Sequence, residues 1–168
     1  VRIGGLFSRT LFVMTYPRYI SVGWFSPIIN YNATLDVSMF FYPMDSAVVL
    51  KQLRNKVGVL TAQLTSDNEK GAPRDPLRET ALQDIEKLRD DLTQGIEKFF
   101  QYGLYLTLYE KDLKKLDVLT EDIEAVLGTR SILSKRVFYQ AEQGFNSTVP
   151  ICNDELMITA NLNSSPIA

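Results

Sequence analysis

The chain changes its hydrophobic period four times, and each change marks an element. Residues 10–16, TLFVMTY, are β-branched, apolar and aromatic, and Pro17 ends the ladder, so a strand is expected there. In LDVSMFFY at 35–42 the period is two: Leu35, Val37, Met39 and Phe41 share one face, Asp36, Ser38, Phe40 and Tyr42 the other, and Pro43 stops the run. From Asp45 the period lengthens. Leu50, Leu53, Val57, Leu60 and Leu64 recur at spacings of three and four, behind Asp45 or Ser46 as N-cap. The polar loop TSDNEKGAPRDP at 65–76 then leads to a second helix opening at Asp75-Pro76, with Leu77, Ala81, Ile85, Leu88, Leu92, Ile96 and Phe99 down one side. Two such helices joined by a short loop predict an antiparallel hairpin.

Period two returns in GLYLTLYE at 103–110, where Leu104, Leu106 and Leu108 oppose Tyr105, Thr107 and Tyr109. A helix is expected from about Asp112 to Leu127, through Leu113, Leu116, Leu119 and Ile123, with Gly128 placed to end it. KRVFYQ at 135–140 reads as a short strand, and ELMITAN at 155–161 as a strand or a short helix. The succession of strand, short helix, strand, hairpin, strand, helix, strand predicts an α+β fold. Its sheet is antiparallel-rich (mixed) with helices on one face, on a split β-α-β-like plan with a long inserted helical hairpin. Strand order is not readable from the pattern. The expected organisation is one α+β domain over residues 1–150, with the hairpin at about 45–101, and a C-terminal segment over 151–168. Starting on Val1 rather than Met, the chain reads as an excised piece.

Composition narrows the chemistry. The 168 residues carry 18 basic and 20 acidic side chains, a net charge of −2 that gives no general attraction for nucleic acid or anionic lipid. Histidine is absent, which removes the commonest general base and metal ligand. Cys152 is the single cysteine, so neither an internal disulfide nor a thiol–imidazole pair can form. No phosphate-binding G-x-x-x-x-G-K-[ST] loop occurs. The acidic groups Asp90-Asp91 and Glu121-Asp122-Glu124 read as solvated helix faces. No run of 18 apolar residues is present to span a membrane. No catalytic, cofactor-binding or metal-ligating residue is therefore expected in this chain.

Two features suggest contacts. Phe40, Tyr42, Tyr105 and Tyr109 alternate with the apolar face of their strands, loosely like the aromatic sheets on which unpaired bases stack. The commoner reading of such rings is that flanking segments of the chain or a neighbouring domain cover them. The acidic balance also argues against nucleic acid, since stacking platforms normally sit in a positive groove. The lone tryptophan lies in VGWFSPII, which is expected to fold as a short helix over the sheet with Trp24 as a buried anchor. The alternative is that Trp24 and Phe25 are exposed for a partner.

Taken in order, LFVMTYPRYISVGWFSPIINYNATLDVSMFFYPMD, the helical hairpin, GIEKFFQYGLYLTLYEKD and KRVFYQAEQGFNSTVPICND make a distinctive succession. It resembles the amino-terminal region of the large traffic ATPases of bacterial type IV secretion and conjugative DNA transfer, the VirB-four-like family. The positions that match are Tyr16-Pro17, Gly23-Trp24-Phe25, Pro43-x-Asp45 and Val149-Pro150, and the similarity runs over roughly residues 9–165. Order and spacing carry it; no single motif does. The family's nucleotide-binding motifs, catalytic Glu and arginine finger lie beyond this region, so the resemblance transfers no catalytic residue.

What the resemblance implies is a non-catalytic assembly domain, without ATPase activity of its own, of a protein whose absent motor domain binds ATP and Mg. Its implied partners are that motor domain, neighbouring subunits of a hexamer, and inner-membrane secretion-complex proteins. The place is cytoplasmic, at the face of the inner or plasma membrane, with membrane contact only indirect. Candidate contact residues are Trp24, Phe25, Phe40, Tyr42, Tyr105 and Tyr109. The competing expectation is a single-stranded nucleic-acid-binding domain using the aromatic sheet face.

Overall fold

The computed structural model describes residues 1–71, 73 and 75–165. Among them lie six strands and five helices: β1 (Arg2–Ile3), β2 (Leu6–Thr15), α1 (Ser26–Ile29), β3 (Leu35–Pro43), α2 (Ser46–Glu69), α3 (Pro76–Thr93), β4 (Phe99–Glu110), α4 (Leu113–Gly128), β5 (Leu133–Arg136), α5 (Ala141–Asn146) and β6 (Ala160–Asn163). The fold is α+β, as the pattern predicts. Two compact units divide the chain. The first comprises residues 1–42 and 101–162; the second, residues 43–100 and 163–165. Residues 151–162 thus belong to the sheet unit rather than to a separate C-terminal segment.

The sheet runs β1-β2-β4-β3, with β5 also paired to β2 and β6 to β4. β2 is antiparallel to β4, from Phe7 opposite Glu110 to Phe12 opposite Tyr105, and antiparallel to β5, from Leu11 opposite Arg136 to Thr15 opposite Leu133. It follows that β4 and β5 run parallel with β2 between them, and α4 makes the connection. That is a split β-α-β unit.

One sheet face carries the core. Leu11 and Val13 of β2 and Leu104, Leu106 and Leu108 of β4 pack against Leu116, Leu119, Ile123 and Leu127 of α4. Asp112 caps α4, accepting from the Lys114 and Lys115 amides at 2.7 and 3.3 Å. The helix ends at Gly128, as expected. The left-handed residue is Ser131 (φ 57°), and the Ile132 amide returns to the Leu127 carbonyl at 3.1 Å. Two ion pairs hold α4 to the sheet. Arg136 of β5 grips Glu124 with two bonds of 3.0 and 2.8 Å, and Arg9 of β2 meets Asp117 at 2.7 Å. Glu124 is one of the carboxylates expected on a solvated helix face.

The remaining sequence assignments hold or shift locally. β2 starts four residues earlier than expected, β5 ends at Arg136 instead of residue 140, and a helix the pattern missed, α5, follows. In the 155–161 stretch only Ala160 and Asn161 are strand.

In the second unit α2 and α3 form the hairpin. Asp75 caps α3, accepting from the Leu77 and Arg78 amides, and Pro76 opens it. Leu50, Leu53, Val57, Leu60 and Leu64 are half-buried, whereas Leu77 and Ile96, expected on the apolar side, are exposed. Glu97 is buried here and accepts from the hydroxyls of Ser164 and Ser165 and from the Ser165 amide. Burial pushes its carboxyl up, but these hydrogen bonds outweigh burial and leave it below the ordinary carboxylate range.

The Tyr16 hydroxyl in the sheet unit is buried with no hydrogen-bond partner. An unpaired buried hydroxyl costs about 1–3 kcal/mol. Tyr16→Phe keeps the ring against Trp24 and Tyr102 and removes the penalty, so it is expected to raise the urea midpoint without changing its slope. An unchanged or lower midpoint would show that the hydroxyl is solvated.

Candidate functional site

The residues singled out from the sequence fall into two environments, and the structure adds a third. Trp24 and Phe25 are core residues, exposed by only 9% and 7%. Gly23, with φ 73°, turns the chain so that α1 can start at Ser26. The Trp24 ring then meets Tyr16 edge-on, with centroids 5.8 Å apart, and packs beside Phe25 at 5.2 Å. Buried in this way, neither ring forms part of a contact surface. This burial fits the expected anchor role of Trp24 better than exposure of the pair for a partner.

The second environment is the polar face of the sheet. Tyr105 is fully buried. Its hydroxyl donates to Asp154 at 2.9 Å and accepts from the Ile158 amide at 3.0 Å; Tyr42 reaches the other oxygen of Asp154 at 2.9 Å. One carboxylate thus ties β3 and β4 to the segment after α5. Phe40 is half-buried and lies against Tyr42 and Tyr105, at 6.4 and 5.7 Å. Tyr109, also half-buried, donates to Asp36 at 2.6 Å. Burial, then the hydrogen bonds to Asp154 or Asp36, pushes all three hydroxyls up, that of Tyr42 to about 12.

Between these rings runs a buried threonine chain. The Thr148 hydroxyl gives its one proton to the Phe145 carbonyl at 2.8 Å. Thr107 must then donate to Thr148, and Thr10 to Thr107, both at 2.7 Å. Ser147 adds a hub, donating to the Gln143 carbonyl and accepting from the amides of Glu155 and Leu156. Gly144 is what lets α5 approach, because a Cβ there would meet Thr10 Cβ at 3.1 Å and Val137 Cγ1 at 3.3 Å. α5 and the 147–158 segment therefore cover the face that the alternation left open. Each of the four rings singled out on this face is packed against another ring or hydrogen-bonded to a carboxylate.

The third environment was not read from the sequence. Phe138 and Tyr139 follow β5 and are exposed by 74% and 103%. The pattern placed them in a strand, where one of the two would face inward. The signal for a turn was the abrupt passage from Phe-Tyr to the polar QAEQ. Ile151 and Met157, on the segment that covers the polar sheet face, are exposed as well. A shallow groove of about 340 Å³ lies between Tyr31 and α4, where Lys114 and Lys115 sit near Asp122, the acceptor of the Tyr31 hydroxyl. Charges of both signs line it, so it selects no ion.

Cys152 is exposed in a left-handed conformation (φ 55°). Among the described residues no three His, Cys, Asp or Glu side chains come together as a metal site, and no helix is long and apolar enough to cross a membrane. No protein-family model matches the chain and no curated protein matches it.

Proposed function

We propose that this chain is an assembly domain: the amino-terminal, non-catalytic part of a type IV secretion or conjugation ATPase, which docks the motor onto the inner-membrane complex and contacts neighbouring subunits. The observation that carries the reading is the ordered resemblance over residues 9–165. In the fold its marked positions fall at element boundaries: Tyr16-Pro17 just after β2, Gly23-Trp24-Phe25 ahead of α1, Pro43-x-Asp45 between β3 and α2, and Val149-Pro150 after α5. A sheet whose polar face is covered, with apolar side chains left on connecting segments and on β3, suits protein contacts. It suits neither base stacking nor chemistry on a bound substrate. ATP and Mg belong to the motor domain, and work at the cytoplasmic face of the membrane comes through protein partners.

The reading frame beyond Ala168 tests this parentage. A G-x-x-x-x-G-K-[ST] loop after a strand supports it, and a stop codon shortly after residue 168 removes the motor from the mechanism. At the level of the surface, Phe138→Ser with Tyr139→Ser is expected to weaken capture of purified inner-membrane components by at least about 10-fold, since exposed aromatics dominate such contacts. The melting temperature should stay within a degree or two of the wild type. Undiminished capture would move the contact elsewhere.

A further inference from the structure

We propose that the outer edge of β3 is a self-pairing surface, on which a second copy of this chain adds its own β3 antiparallel and in register about Met39. β3 ends the sheet order, with β4 on one side and no described strand on the other. The direction of its backbone groups is fixed by two bonds: the Thr34 carbonyl accepts from the Tyr109 amide, and the Met44 amide donates to the Phe99 carbonyl. Even-numbered residues therefore point their amides and carbonyls at β4. Successive residues alternate, so Leu35, Val37 and Met39 point theirs outward.

Long edges are normally blunted by lysines, bulges or a central proline. Here the sequence LDVSMFFYP offers one charge, Asp36, and a proline only at its last position. Met39 and Phe41, on the apolar face, remain 41% and 42% exposed.

What commits the edge to a second copy is its self-complementarity. With Met39 opposite Met39 of the second copy, Val37 falls opposite Phe41 and Ser38 opposite Phe40. The sole charge, Asp36, falls opposite Tyr42 and far from the other Asp36. Met39 is then a hydrogen-bonded pair, exchanging the amide and carbonyl that it points outward. A strand-edge contact buries less than about 1,200 Å² and is weak, so association on the order of 10–100 μM is expected. A two-fold contact of this kind joins subunits only in pairs, so the inference goes beyond the assembly reading and stands apart from it.

Sedimentation over a range of concentrations, with the chain in a Cys152→Ser background, tests the association. A monomer–dimer equilibrium is expected. Met39→Lys sets two like charges opposite each other on the two-fold axis and should weaken it by at least about 10-fold. Because Met39 is exposed, its circular dichroism and melting should be those of the wild type. Register is tested by Met39→Cys, whose paired Cα atoms would lie about 5.5 Å apart, within disulfide reach. It should form a cross-linked dimer on mild oxidation, while Asp36→Cys, matched against Tyr42, should not. A monomer at about 1 mM, dimerisation indifferent to Met39→Lys, or equal cross-linking by both cysteines would each overturn the inference. A monomer that still captures inner-membrane components ends the inference and leaves the assembly reading intact; a dimer that captures none does the reverse.

Discussion

Trp24→Ala is expected to destabilise the sheet unit by about 3–5 kcal/mol, the range for deleting a buried aromatic. In a chain of this size that is a fall in melting temperature on the order of 10 °C. The magnitude follows from what the ring holds. Trp24 sits at the junction of the Gly23 turn, α1 and the end of β2, packed between Tyr16 and Phe25, with Ile28 buried one helical turn on. Removing it leaves a void that α1, only four residues long, cannot close by itself, and it loosens the connection that carries the chain from β2 to β3. Circular dichroism should follow the melt, because the variant lacks the only tryptophan. Tyr139→Ala, at a fully exposed ring, is the control and should cost no more than about 0.5 kcal/mol. If Trp24→Ala melts with the wild type but fails to capture a partner, Trp24 is a contact residue and the anchor assignment is wrong.

That one ring shows where sequence reasoning reached and where it stopped. The boundaries were legible because they are written locally. Asp75-Pro76 and Asp112 carry their own capping chemistry, Pro17 and Pro43 end ladders, and Leu104, Leu106 and Leu108 alternate as a buried strand face must. The opposite face of β4 was misleading for a physical reason. Tyr105, Thr107 and Tyr109 look like a wet face, since each ends in a hydroxyl. Yet Tyr105 and Thr107 are sealed by partners about 40 to 50 residues downstream, Thr148, Asp154 and Ile158. A polar group satisfied at long range cannot be told from one satisfied by water when only its neighbours in sequence are visible. The helix ends at Gly128 as expected, but the left-handed residue lies beyond it. Glycine permits a left-handed end, but the chain turns three residues later, at Ser131, where Ile132 can enter the core. The exposed pair Phe138-Tyr139 escaped notice because a short apolar run reads as a strand.

The same buried hydroxyls predict an abrupt alkaline unfolding. Tyr102 and Tyr105 are exposed by 3% and 0%, and burial pushes both hydroxyls well above their ordinary value, as it does for Tyr16 and Tyr109. A raised pKa on an acid means that the fold disfavours the ionised form. Unfolded tyrosines ionise near pH 10. Below that value both states are protonated and the full stability is present. Above it the unfolded chain loses protons that the native protein keeps, and stability falls by about 1.4 kcal/mol per pH unit for each such tyrosine until its folded pKa is passed. With several titrating together, a protein of ordinary stability, about 5–15 kcal/mol, is expected to unfold between about pH 10.5 and 12. Tyrosinate absorbance and loss of near-ultraviolet circular dichroism should then rise as one transition. Tyr102→Phe removes one ionisable group and should move the midpoint to higher pH. Tyr105→Phe should do less, because it also deprives Asp154 and the Ile158 amide of their partner. A gradual tyrosinate titration centred near pH 10, with native dichroism throughout, would mean that these rings are open to water. The polar sheet face would then again be free to meet a ligand.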